Sequence, residues 1–159
     1  MLKALTKSAE DTRELAAAIA VMARAQDVVL LSGDLGAGKT TFAQGFGRGL
    51  GVTEPIVSPT FTLVRTYKGR LPLVHCDVYR LDRLEEVADL DLPELLDDGG
   101  VALVEWGDAI APALVADFLE VRMELDEADD ARRLDLRVVG PSWTARLRAL
   151  STAIGRWAT

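Results

Sequence analysis

Gly33, Gly38, Lys39 and Thr40 occupy the four fixed positions of G-x-x-x-x-G-K-[ST], the spacing of a phosphate-binding P-loop. The run reads Gly33-Asp34-Leu35-Gly36-Ala37-Gly38-Lys39-Thr40, with Thr41 following. A nucleotide phosphate needs several backbone N–H donors converging on it, and a glycine-rich loop can turn its amides inward without Cβ clashes. Lys39 would bring a point charge to the β- and γ-phosphates, and the Thr40 hydroxyl is the expected Mg²⁺ ligand. The alternative is a chance glycine-rich turn. The surroundings argue against it, because the β-branched-rich run Val28–Leu31 precedes the loop and Phe42, Phe46 and Leu50 follow at helical spacing.

Two acids stand where such a site would use them. Leu71–Asp77 and Val101–Glu105 both read as apolar strands that end on a carboxylate. That is the Walker-B arrangement, in which the acid reaches the crevice at the carboxyl edge of a sheet. The sequence does not decide which of Asp77 and Glu105 serves the metal. Val57–Thr62, with hydroxyls at Ser58, Thr60 and Thr62, is either a switch segment reaching the γ-phosphate or a plain turn. His75 and Cys76 are adjacent in one strand, so alternation sends them to opposite faces and argues against a shared metal. Trp106 reads as core.

The elements that position these residues follow from periodicity. Leu2–Leu5 is a candidate edge strand, and Ser8-Ala9-Glu10-Asp11 resembles a capping box with Asp in place of Glu. Leu15, Ala18, Ile19 and Met22 then predict an amphipathic helix over 9–25. The helix after the loop carries Gly45, Gly47 and Gly49, so packing rather than propensity has to hold it. Residues 62–77 predict a hairpin whose strands flank the three-residue turn Lys68-Gly69-Arg70. Leu84–Leu96 suggests a helix, a break near Pro93 and a second short helix, with its acids on a solvated face. Residues 118–125 and 133–138 alternate as half-buried strands. Trp143, Leu147, Leu150, Ile154 and Trp157 form one apolar stripe on a closing helix, as core or interface.

At 159 residues one domain is expected, spanning 1–159. The predicted class is α/β: a P-loop NTPase fold with a mixed, mostly parallel sheet and flanking helices. One cysteine excludes an internal disulfide and fits a reducing, cytoplasmic setting. No apolar run approaches the roughly 18 residues of a membrane span, and no signal peptide is expected. The net charge of −7, with no long basic stripe, disfavours a strong direct grip on nucleic acid. The chain contains no asparagine, so the Asn-Lys-x-Asp element that reads guanine is absent and ATP is favoured by elimination.

The motifs occur in a telling order: Gly33–Thr41, Ser58-Pro59-Thr60-Phe61-Thr62, His75-Cys76-Asp77-Val78-Tyr79-Arg80-Leu81, and Val104-Glu105-Trp106. Together they resemble the TsaE family, small bacterial ATPases needed to make threonylcarbamoyladenosine on tRNA. The resemblance implies binding of ATP or ADP with Mg²⁺, weak hydrolysis alone, and action on a TsaB–TsaD heterodimer that is reset between turnovers. It implies that Lys39 contacts phosphate, that Thr40 and Glu105 hold Mg²⁺, that Asp77 orients or deprotonates the attacking water, and that Thr60 lies in the switch loop. It also implies an adenine pocket drawing on Ser8 to Thr12 and on Arg132 or Arg133. No arginine is obviously placed as a finger, which suggests completion of the site by the partner. A small-molecule kinase of the shikimate-kinase type and a nucleotide-gated binding protein are the competing readings.

Overall fold

Strands β1 (Leu2–Thr6), β2 (Val28–Ser32), β3 (Val64–Tyr67), β4 (Leu73–Asp77), β5 (Val101–Trp106), β6 (Phe118–Leu125) and β7 (Arg132–Val139) form one sheet. Their order is β1-β7-β6-β2-β5-β4-β3. The computed structural model describes residues 1–34, 36–57, 64–77, 92–106, 116–128 and 130–159, with Trp106 described by its backbone alone. Leu35, Thr60 with the rest of Ser58–Thr62, and Tyr79, Arg80 and Leu81 therefore lie outside the described residues.

The sheet is parallel at its centre, where β2 lies between β5 and β6 and β4 joins β5. β3 and β7 run against their neighbours, and β1 pairs antiparallel with β7 at the edge. Five of the seven strands thus share one direction. Burial follows from position. β2 and β4 are buried at every residue, as parallel strands covered on both faces need to be. β6 instead alternates, with Leu119, Val121 and Met123 inward and Arg122 and Glu124 exposed.

On one face, helices α1 (Ala9–Val21) and α2 (Lys39–Gly49) pack over Val29, Leu31, Leu103, Leu119 and Val121. On the other, Val28, Leu30, Val74, Cys76, Ala102, Val104 and Phe118 meet Leu92 and Leu96. The glycines of α2 have a packing reason. A Cβ at Gly45 would lie 2.2 Å from the Arg13 carbonyl oxygen, one at Gly49 2.5 Å from that of Ala17, and one at Gly47 2.0 Å from Ile56. The two helices cross backbone to backbone, and only hydrogen fits between them.

Helix α1 starts as the sequence indicates, with Ser8 Oγ accepting from Asp11 N at 3.0 Å. Asp11 returns to Lys7 N at 2.9 Å, one residue before the cap, instead of closing the box on Ser8. The helix ends at Val21 rather than residue 25. Arg70 reaches over from the β3–β4 connection to donate to the carbonyls of Ala20 and Ala23. Asp27 turns back to accept from Arg24 N at 2.7 Å, and Gln26 takes a positive φ of 71°.

The hairpin forms, but its connection is five residues, 68–72, not three. Arg70 N donates to Leu50 O at the end of α2, so the turn is tied to the helix instead of closing on its own strands. The second short helix expected near Pro93 is Leu92–Leu95, with Pro93 in its first turn; the helix expected before it lies outside the described residues. The closing stripe is split into Pro141–Thr144, Leu147–Ala153 and a 3₁₀ turn Gly155–Trp157. Trp143, Leu150, Ile154 and Trp157 are core, whereas Leu147 faces outward. The break occurs at Arg146, which forks onto Asp27 at 2.6 and 2.8 Å and stacks on Trp143, all buried. Among the described residues no helix is long and apolar enough to cross a membrane.

Candidate functional site

Strand β2 delivers the chain from the middle of the sheet into the loop Gly33–Gly38, and α2 begins at once with Lys39. Loop geometry selects the glycines. Gly33 has φ 140°, and a Cβ there would sit 2.4 Å from the backbone oxygen of Met123 on the neighbouring β6. Gly38 precedes the helix with φ 105°, in the left-handed region, and offers no side chain to cap α2. The first-turn amides of α2 are therefore presented without a side-chain acceptor, beside the positive end of the helix dipole.

Lys39 folds over this loop and donates to Gly33 O at 2.7 Å and Asp34 O at 3.1 Å. Burial lowers its pKa from the ordinary lysine value, opposed by the negative charges of Glu105, Asp77 and Asp34. Those carboxylates are thus close enough for the ammonium to feel them. Thr40 and Thr41 occupy the first turn of α2 and are partly buried.

The two acids converge by register. Glu105 on β5 lies beside Leu31 on one side and Asp77 on the other. Adjacent strands are about 4.8 Å apart, so both carboxylates stand at the same sheet edge as the start of the loop. Asp77 is 6% exposed and Glu105 4%. Glu105 Oε2 meets His75 Nε2 at 2.8 Å.

Arg132, at the start of β7, donates from Nε to Ala37 O at 3.0 Å and from Nη1 to Ala131 O at 2.9 Å. It braces the loop from the side opposite the acids. Arg133 points the other way and pairs with Glu124 and Asp126. Thr12 is buried, with its hydroxyl joined to Thr6 Oγ1 at 2.6 Å and Ser8 O at 3.2 Å. Thr6 is opposite Arg132 in the β1–β7 ladder, so the N-terminal segment and the loop share that arginine's neighbourhood.

The structure thus brings Gly33, Asp34, Gly36, Ala37, Gly38, Lys39, Thr40, Thr41, Asp77, Glu105 and Arg132 to one end of the sheet. Leu35 and Thr60 are outside the described residues. Sequence reasoning missed the His75–Glu105 contact and the constraint that Met123 places on Gly33. Each depends on strand order. The one local hint was that His75 and Asp77 share a face of β4.

The profile of the family described as "Threonylcarbamoyl adenosine biosynthesis protein TsaE" matches residues 6–134. This chain belongs to the TsaE family. Among its relatives, the tRNA threonylcarbamoyladenosine biosynthesis protein TsaE of Bacillus subtilis (strain 168) is 42% identical, with 94% of each chain covered. That of Streptomyces coelicolor is 44% identical, over 82% of this chain and 93% of its own. The crystal structure of Bacillus subtilis YdiB superposes with a TM-score of 0.77 at 36% identity, covering 98% of this chain and 94% of that one. The TsaE match begins at Thr6 and ends at Leu134, so it takes in the loop, both acids and Arg132.

Proposed function

We propose that this chain is a Mg²⁺-dependent ATPase of tRNA threonylcarbamoyladenosine biosynthesis, slow alone and stimulated by a TsaB–TsaD heterodimer that it resets between turnovers. The observation that carries the reading is the convergence of a glycine-rich strand-to-helix loop, Lys39 and two buried carboxylates at one sheet edge. Membership in the TsaE family supports the pathway.

The residues suit the groups they would hold. The amides of Gly33–Thr41, Leu35 included, and the N-terminus of α2 suit the phosphates of ATP or ADP. The Thr40 hydroxyl and the Glu105 carboxylate are hard oxygen donors of the kind Mg²⁺ takes beside substrate phosphates. When bound, Mg²⁺ neutralises charge on the phosphate oxygens. Lys39 exchanges its loop carbonyls for phosphate oxygens, giving the charge that builds on them a fixed partner. Asp77 orients the attacking water and accepts its proton, Thr60 belongs to the switch loop, and Arg132 with Thr12 borders the base. Positioning and fixed charge supply the catalysis. The acidic net charge fits action through proteins in the cytoplasm rather than a direct grip on tRNA.

Competition binding with a fluorescent ADP analogue tests the site. ATP displaces the analogue, Mg²⁺ tightens that binding, and GTP competes poorly. Lys39→Ala weakens ATP binding by about 10-fold or more, as expected for loss of a charge-assisted phosphate contact. A protein that binds neither nucleotide, or a Lys39→Ala variant with wild-type affinity, would refute the reading.

A further inference from the structure

Glu105 does not stand alone at the sheet edge. Strand register sets Asp77 beside it, and its side chain meets His75, two residues earlier on the same face of β4. His75 is 0% exposed. A carboxylate only accepts, so the ring donates from Nε2 across 2.8 Å, and Nδ1 has no hydrogen-bond partner among the described residues. A leucine at this fully buried strand position would incur no such polar penalty. The histidine costs stability where it sits, and its one polar contact among the described residues is Glu105.

We infer that His75 is a positioning residue for the metal-binding acid. By holding Oε2, it removes the broad, twofold freedom of the glutamate's terminal torsion and commits Oε1 to the metal. This rests on the assignment of Glu105 to Mg²⁺ above, and adds the group that orients it.

The test uses Mn²⁺ as a spectroscopic stand-in for Mg²⁺, titrated by electron paramagnetic resonance into the protein–ADP complex, with ADP affinity measured separately in EDTA. His75→Asn keeps a polar amide but is one methylene too short to reach Glu105. It weakens Mn²⁺ binding about 10- to 100-fold, the usual cost of losing a partner that orients a metal ligand. His75→Gln, whose amide nitrogen falls near the position of Nε2, returns Mn²⁺ affinity to within about threefold, and metal-free ADP affinity stays within about twofold in both variants. In a Glu105→Ala background, His75→Asn costs nothing further, because the carboxylate it orients is already gone. Should His75→Asn not fold, His75→Phe fills the position without a donor and takes its place. Unchanged Mn²⁺ affinity in the donor-less variant, or a glutamine variant as weak as the asparagine one, overturns the inference. A wild-type complex that binds no Mn²⁺ overturns the assignment of Glu105 itself, which separates the two failures.

Discussion

Neighbouring residues on a buried strand can have unrelated chemistry, and β4 is a clear case. His75 faces Glu105, while Cys76 faces Val104 and the second apolar cluster. Burial pushes the Cys76 thiol from 9.0 up to about 12. A raised folded value means the native state holds its proton more tightly than the unfolded chain. This contribution to stability is complete below pH 9 and is lost as pH rises toward 12. Denaturant unfolding between pH 8 and 11 should therefore show wild-type stability falling more steeply than that of Cys76→Ala, and parallel curves would contradict it. Native Cys76 should also resist thiol reagents. At this scale the sequence was most informative where chemistry is local. The loop residues follow one another along the chain, Asp77 closes β4, and Glu105 stands one residue before the end of β5. The His75–Glu105 bond and the Arg132–Ala37 bond join residues 30 and 95 positions apart, and nothing in a local pattern announces them.

Among the elements, α1 and α2 illustrate how packing overrides propensity. Gly45 and Gly49 are poor helix formers, and replacing either by alanine in an isolated helix would gain about 1 kcal/mol. Here a Cβ at Gly45 would sit 2.2 Å from a backbone oxygen of α1, so the helices would have to separate. Gly45→Ala should lower stability by about 1–3 kcal/mol despite its better propensity, measured by chemical denaturation. A stabilised variant would show that the crossing has slack. Two element boundaries that periodicity misplaced share one cause. Helix α1 stops at Val21 and the closing helix breaks at Arg146, and both ends meet at the buried Asp27–Arg146 pair, where Arg146 also donates to Met22 O. Apolar spacing continues through both breaks. Arg146 lies 119 residues from Asp27 and 124 from Met22.

For the whole molecule, the α/β class and the strand–loop–helix core were legible because a parallel strand and its glycine-rich exit have a local signature. The strand order was not, since the fully buried β2 carries no mark of lying between β5 and β6. That order gathers the loop, both acids and Arg132 at one edge, and it makes the proposed site more than a motif. The same scale bears on partners. A chain of net charge −7 fits completion of its site by another protein, and an arginine supplied in trans can accelerate hydrolysis about 10³- to 10⁵-fold. The decisive measurement is phosphate release from ATP and Mg²⁺ by the purified protein, alone and with the TsaB–TsaD pair of the same organism, beside Lys39→Ala. Slow release alone, stimulation of about tenfold or more by the pair, and loss of both in Lys39→Ala is the predicted result. Demonstrated ATP binding without stimulation, or phosphate passed to a small metabolite rather than to water, would contradict it.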